Sequence, residues 1–193
     1  LGRRHRIWYP GATYHLTARG NRRAAIFNES EDFKKYLTIL QDVRMHQPFT
    51  LHSYCLMTNH LHLQLETNDS PIQSIMKEIQ FRYAVYFNQK FKLDGHVFQG
   101  RYGAKVIENT DYFLQVSRYI HRNPLESGMV TAMEDYPWSS FSSYVLGKAN
   151  PHIDPLKTLS YFREPAHEEY RRYVETPIEE LVGENGEIVW IPH

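Results

Sequence analysis

The alternation in NHLHLQLE, residues 59–66, leaves little freedom in how this chain can fold. Leu61, Leu63 and Leu65 fall at every second position, and His60, His62, Gln64 and Glu66 fill the places between them. Successive side chains of a strand point to opposite faces, so the segment predicts a strand with one apolar and one polar face. On the polar face, two histidines at i and i+2 point the same way and can reach one ion together. Two readings stand open at this point: an ordinary polar sheet face, or a metal-binding pair.

The neighbouring residues set that strand in a sheet. Residues 49–57 (FTLHSYCLM) read as a second strand, joined to it by the tight turn Thr58–Asn59 as an antiparallel hairpin. Residues 12–19 (ATYHLTAR) read as a further strand ending in the turn-like GNRR of 20–23. Between them, Ser30 is the expected N-cap of a helix running to about His46, with Phe33, Leu37, Leu40 and Val43 on its apolar stripe. A second helix begins at Ser70–Pro71, with proline at its first position, and buries Ile72, Ile75, Ile79, Tyr83 and Phe87. The stretch HVFQGRYGAKVIE has strand character interrupted by Gly100 and Gly103. Asn109 or Thr110 then caps a third helix, TDYFLQVSRYIHRN, stopped by Pro124. This order predicts an α+β domain, an antiparallel sheet with helices packed on it. It occupies residues 1–149, closed by YPWSSFSSY, and is followed by an acidic extension over 150–193.

Composition narrows the function classes. No apolar run approaches the roughly 20 residues that span a bilayer, and no charged-then-apolar leader is visible, so a cytoplasmic protein without a membrane partner is expected. Cys55 is the single cysteine, which excludes an internal disulfide and a cysteine-rich zinc site. Formal net charge is zero, but it is unevenly spread. Residues 1–28 carry six arginines and no acid, whereas from Ser160 onward eight glutamates face three arginines. Such asymmetry fits either a basic binding face with an acidic tail or two solvated surfaces.

The third helix offers the residues a histidine pair would need. Tyr119 and Asn123 are four apart and share one helix face. Tyr119 is a candidate nucleophile, and the Asn123 amide oxygen can complete a coordination sphere beside His60 and His62. Two imidazoles with an oxygen suit Mg²⁺ or Mn²⁺ acting on a phosphate better than a closed zinc site. Periodicity alone equally allows a core tyrosine and a C-capping asparagine. Among 14 tyrosines the main rival is Tyr112, two turns earlier, but Val116 stands where its partner amide would be. Tyr86 has no amide at i+4 either. Glu66 is the reserve ligand, and Gln64 has no assignment.

These residues resemble a known family. MTNHLHLQLE is similar to the histidine–hydrophobe–histidine motif of HUH nucleases. With IWYPGATYHLTARGNRR, HVFQGRYGAKVIE and SRYIHRNPLESGMV in the same order, the chain resembles single-tyrosine HUH transposases of the IS200-like superfamily, most closely the REP-associated tyrosine transposase branch, over about residues 5–145. The resemblance implies a ferredoxin-like fold and metal-dependent cleavage of single-stranded DNA at or near hairpins. It also implies a 5′-phosphotyrosine link with a free 3′ hydroxyl, and strand transfer without a nucleotide cofactor. Tyr119 falls at the family's nucleophile and Asn123 at a polar metal-binding position. Thr58 replaces a common proline, and Arg122-Asn-Pro-Leu-Glu departs from a more apolar and basic form, which bears on DNA contacts.

Within that frame Arg19, Asn21, Arg22 and Arg23 are expected to grip phosphates, with Gly20 allowing close backbone approach. Gln99 and Arg101, flanked by Phe98 and Tyr102, offer base-edge and stacking groups for a single strand. Two other readings keep the same fold: a catalytically silent hairpin-binding protein, and a metallophosphoesterase in which water attacks. The acidic extension carries no functional assignment; shielding of the basic face and support of a homodimer both stand open.

Overall fold

The structure is a computed structural model and describes residues 8–177. Its elements follow the order β1 (Thr13–Arg19), α1 (Ser30–His46), β2 (Phe49–Met57), β3 (His60–Thr67), α2 (Ile72–Phe91), β4 (Gly103–Val106), α3 (Thr110–Glu126), α4 (Phe141–Leu146), α5 (Leu156–Leu159) and α6 (Ala166–Glu175). The four strands form one antiparallel sheet in the order β2-β3-β1-β4. A β1–α1–β2–β3–α2–β4 path through that order is the ferredoxin-like α+β fold.

Register decides which residues share a face. Leu16 pairs with Leu63 and Ala18 with Leu61, so the leucines of β3 join Tyr14, Leu16 and Ala18 on the face that α1 and α2 cover. Leu61, Leu63 and Leu65 are fully buried there. At about 1.5–3 kcal/mol for each buried leucine, a one-residue slip would forfeit the whole set, which pins the register. The opposite face carries Thr17 beside His62, Arg19 beside His60, and His15 beside Gln64. Helix α3 lies across this face and packs with Cys55, Met57, α4 and α6 in a second apolar cluster.

Several boundaries differ from sequence expectation, each for a local reason. Helix α1 is capped by Glu29 rather than Ser30, because the buried Asp32 carboxylate accepts from the backbone N–H groups of Asn28 and Glu29. Pro71 is the N-cap of α2 and not its first residue. Before β4, the chain at 97–101 joins the sheet only through the bridge of Gly20 with Phe98, since Gly100 takes a positive φ of 67° that no strand sustains. Pro124 does not end α3; it lies in the final turn, where its missing N–H costs one hydrogen bond, and the helix continues to Glu126.

The described part of the segment after residue 149 packs on α3. Arg118 donates to the carbonyls of Tyr173 and Thr176, and Arg122 to those of Val174 (2.8 Å) and Glu175 (3.3 Å). The last carbonyls of a helix have no partner within it, so these two arginines cap the C-terminus of α6. Arg122, whose neighbourhood suggested altered DNA contacts, is thus directed to α6 and to Glu126. Behind them His121 is fully buried between the Tyr170 hydroxyl (2.7 Å) and the Ser140 hydroxyl (2.7 Å), a structural role. The C-terminal part of the extension, 178–193, lies outside the described residues.

Candidate active site

Strand β3 and helix α3 bring the histidine pair and the tyrosine together. The Tyr119 ring stands perpendicular to His62 at a centroid distance of 5.2 Å, and His60 lies 5.2 Å from His62. Asn123, one turn beyond Tyr119, places its Oδ1 at 3.4 Å from His60 Nε2. The helix is held over the sheet by Gln64, whose amide donates to the Phe113 carbonyl at 2.9 Å and accepts from Ser53 at 2.8 Å. Gln64, left unassigned by sequence, therefore fixes the height of α3. Because α3 continues through Pro124, Asn123 remains helical and stays in line with Tyr119.

Electrostatics favour neutral imidazoles. Burial pushes the pKa of His62 down to about 3 and that of His60 below its ordinary value, and the neighbouring Arg19 charge acts in the same direction on both. Among the described residues no three histidine, cysteine or carboxylate side chains gather as a metal cluster. The third ligand-type atom here is an amide oxygen instead, and its setting is informative. His60 Nδ1 lies 2.7 Å from Asn59 Oδ1, an acceptor, so the neutral ring carries its proton there. Its Nε2 then presents a lone pair to Asn123 Oδ1, whose own amide nitrogen turns toward the Tyr119 carbonyl (3.4 Å). Two electron-pair donors face each other with no proton between them. An octahedral ion with bonds of about 2.1 Å sets neighbouring ligand atoms about 3 Å apart, so these residues fit a divalent cation.

Other candidates are placed elsewhere. Glu66, the reserve ligand, is taken by His52 (3.0 Å) and Lys157 (2.6 Å), which hold its carboxyl down to about 2. Tyr112 lies against Lys105 and is not part of the cleft lining. Tyr86 donates to Asp32 on the far side of the sheet. The residue that sequence reasoning missed is His15. Its Nε2 is 3.1 Å from His62 Nδ1, and its ring is 5.6 Å from that of Tyr119. Alternation within β1 placed it on the polar face, but only the pairing of β1 with β3 brings it to the site.

A cleft of about 380 Å³ opens beside these groups, lined by Arg19, His60, His62, Gln99, Arg101 and Tyr119 among others. The two basic segments are stitched together along it: Asn21 N–H donates to the Val97 carbonyl and Gln99 N–H to the Arg19 carbonyl, both at 2.8 Å. Arg19, Asn21, Arg22, Gln99 and Arg101 are exposed, and Arg23 lines an adjoining groove with Asn59 and His60. Phe98 and Tyr102 are instead largely buried in the first core, which leaves little ring face for stacking a base. Arg82 pairs with Asp42 and Glu78.

Gly20 has a reason within the fold. Its backbone is ordinary, but a Cβ there would lie 2.0 Å from the Ala24 carbonyl oxygen, so the 20–24 turn closes tightly on itself. Gly20→Ala is expected to destabilise the protein by about 1–3 kcal/mol, as overpacking does, with a matching loss in urea midpoint. Wild-type stability in that variant would show that the turn yields freely.

Comparison with known proteins agrees with this fold. Residues 9–123 match the family model described as Transposase IS200 like. The REP-associated tyrosine transposase of Escherichia coli K12 is 24% identical over 139 residues, covering 70% of this chain and 80% of that protein. A Haemophilus influenzae relative named for the same activity is 30% identical over 118 residues, covering 55% of this chain and 66% of its own length. In fold, the chain is similar to a REP-associated tyrosine transposase solved bound to a REP hairpin, with a TM-score of 0.65, 23% identity, and coverage of 80% of this chain and 94% of that one. No helix among the described residues is long and apolar enough to cross a membrane. The chain belongs to the IS200-like, REP-associated tyrosine transposase family.

Proposed function

We propose that this protein is a metal-dependent endonuclease and strand transferase acting on single-stranded DNA at or near hairpins, with Tyr119 as nucleophile. The observation that carries the reading is the meeting of His60, His62 and Tyr119 at the wall of one arginine-lined cleft, with the buried Asn123 set against His60. His60, His62 and Asn123 are the residues that would hold a divalent ion, Mg²⁺ or Mn²⁺. When bound, that ion supplies charge neutralisation at the phosphate oxygens and stabilises a phenolate. The relative solved with a REP hairpin supports the choice of a folded single strand.

The chain's own residues do the rest. Arg19, Asn21, Arg22, Arg23 and Arg101 line up a backbone through its phosphates, and Gln99 offers a base-edge contact. Tyr119 is 46% exposed, so its oxygen is accessible to the strand and its proton has a route to water. The phenolic oxygen attacks phosphorus, its bond to the 3′ oxygen breaks, and the 3′ hydroxyl is released. The 5′ phosphate remains on Tyr119, keeping the energy of the broken diester for joining to another strand. No nucleotide cofactor enters that balance.

The test is incubation of the protein with end-labelled hairpin DNA carrying a single-stranded flank and Mn²⁺. The expected product is a covalent adduct at the new 5′ end created by the break, with a free 3′ hydroxyl on the other fragment. Cleavage without adduct would favour attack by water. Binding with no cleavage across varied flanks would favour a silent hairpin-binding protein.

A further inference from the structure

His15 stands beside the site without a part in the chemistry derived above. It touches both His62 of the pair on β3 and Tyr119: its Nε2 is 3.1 Å from His62 Nδ1, and its ring meets the edge of Tyr119. A contact between two imidazole nitrogens at that distance needs one proton between them, so one ring donates and the other accepts. The direction of that bond decides which nitrogen of His62 keeps a free lone pair.

We infer that His15 is a positioning residue that accepts the Nδ1 proton of His62 and so leaves the His62 Nε2 lone pair for the metal. The inference rests on the metal reading of the site and deepens it. Its structural warrant is the way the neighbouring histidine is held. Asn59 Oδ1 takes the Nδ1 proton of His60 at 2.7 Å, which frees His60 Nε2 toward Asn123. His15 stands to His62 as Asn59 stands to His60, and both imidazoles are then tied at Nδ1 from outside the ligand set. The opposite direction, His15 donating to His62, would put the His62 proton on Nε2 and close that nitrogen to a cation. Outer partners of this kind fix the tautomer and ring orientation of metal-binding histidines, and losing one typically weakens metal binding about 10–100-fold.

The placement follows from the sheet. β1 and β3 pair antiparallel with His15 opposite Gln64 and Thr17 opposite His62. His15 is therefore one diagonal step from His62 on the same face, within reach of a long side chain. A leucine there would keep the volume and lose the acceptor, whereas glutamine keeps an acceptor oxygen at similar reach.

Nitrogen-15 imidazole spectra of the metal-free protein, with His62 assigned through a His62→Gln variant, read the tautomer directly. The expected state is His62 protonated on Nδ1 in wild type and in His15→Gln, and shifted toward the Nε2-protonated form in His15→Leu. Calorimetric titration with Mn²⁺ should show about 10–100-fold weaker binding for His15→Leu, with His15→Gln close to wild type. If His62 carries its proton on Nε2 in wild type, the role of His15 is overturned and the metal reading survives. The same holds if His15→Leu binds Mn²⁺ as tightly as wild type, or if His15→Gln fares no better than His15→Leu. Undiminished Mn²⁺ binding by His60→Ala would overturn the metal reading and this inference with it.

Discussion

Tyr119→Phe is expected to abolish the covalent adduct and to lower hairpin cleavage by a factor on the order of 10⁴ or more. Removing a nucleophile that acts as a unit with its neighbours can cost about 10⁶ in turnover. The substitution deletes one oxygen and leaves the ring against His15 and His62. Because the side chain is nearly half exposed, little buried surface changes and stability should stay within about 0.5 kcal/mol of wild type. Hairpin binding and Mn²⁺ binding should persist, since the arginines of the cleft and the ligand-type atoms are untouched. Tyr112→Phe serves as the control, because Tyr112 stands by Lys105 and away from the cleft. Retention of the adduct by Tyr119→Phe would move the nucleophile to another tyrosine. Retained cleavage with loss of the adduct would assign the attack to water.

How much of this arrangement could be read beforehand depends on the range of the interaction involved. Leu61, Leu63 and Leu65 announced their strand because alternation is a local property, and the stripe from Ile72 to Phe87 announced α2 in the same way. Tyr119 and Asn123 were legible as a pair because i,i+4 spacing sets one helix face without reference to anything else. That this face would meet β3 depends on contacts far apart in sequence, such as Gln64 with Phe113. His15 escaped notice for that reason: its face was predictable, its neighbour was not. The capping role of Arg122 was not legible, because the carbonyls it caps lie some fifty residues later in the chain. Glu66 was a reasonable reserve ligand until His52, brought inward near the register shift in β2, and Lys157 both claimed it. Stretches set by a backbone turn, such as 97–101 with its positive-φ Gly100, resembled a strand in composition alone.

Acid should unfold this protein earlier than its carboxylates alone would require. Burial holds the pKa of His15 at about 4, that of His62 at about 3 and that of His121 at about 3, against an ordinary value of 6.5. His60 and His152 are lowered by the same cause. Between pH 6.5 and those lowered values the unfolded chain takes up protons that the folded chain refuses. Stability is therefore fully present above about pH 6.5 and falls as the pH drops. One such proton gives a slope of about 1.4 kcal/mol per pH unit. The first three together would give up to about 4 kcal/mol per unit, reduced because His15 and His62 touch and titrate as a pair. Glu66 acts in a lower window, since its stabilisation by His52 and Lys157 is lost only as the pH falls from 4.5 through about 2. Urea midpoints measured at pH 7, 6 and 5 isolate the histidines from that contribution. The expected result is a steady fall in midpoint across the series, equivalent to more than one proton taken up on unfolding. His121→Gln, which can still reach a hydroxyl partner, should be less stable at pH 7 yet flatten the fall by about one proton. A midpoint level from pH 7 to 5 would contradict the burial of neutral imidazoles behind α3 and in the candidate site alike.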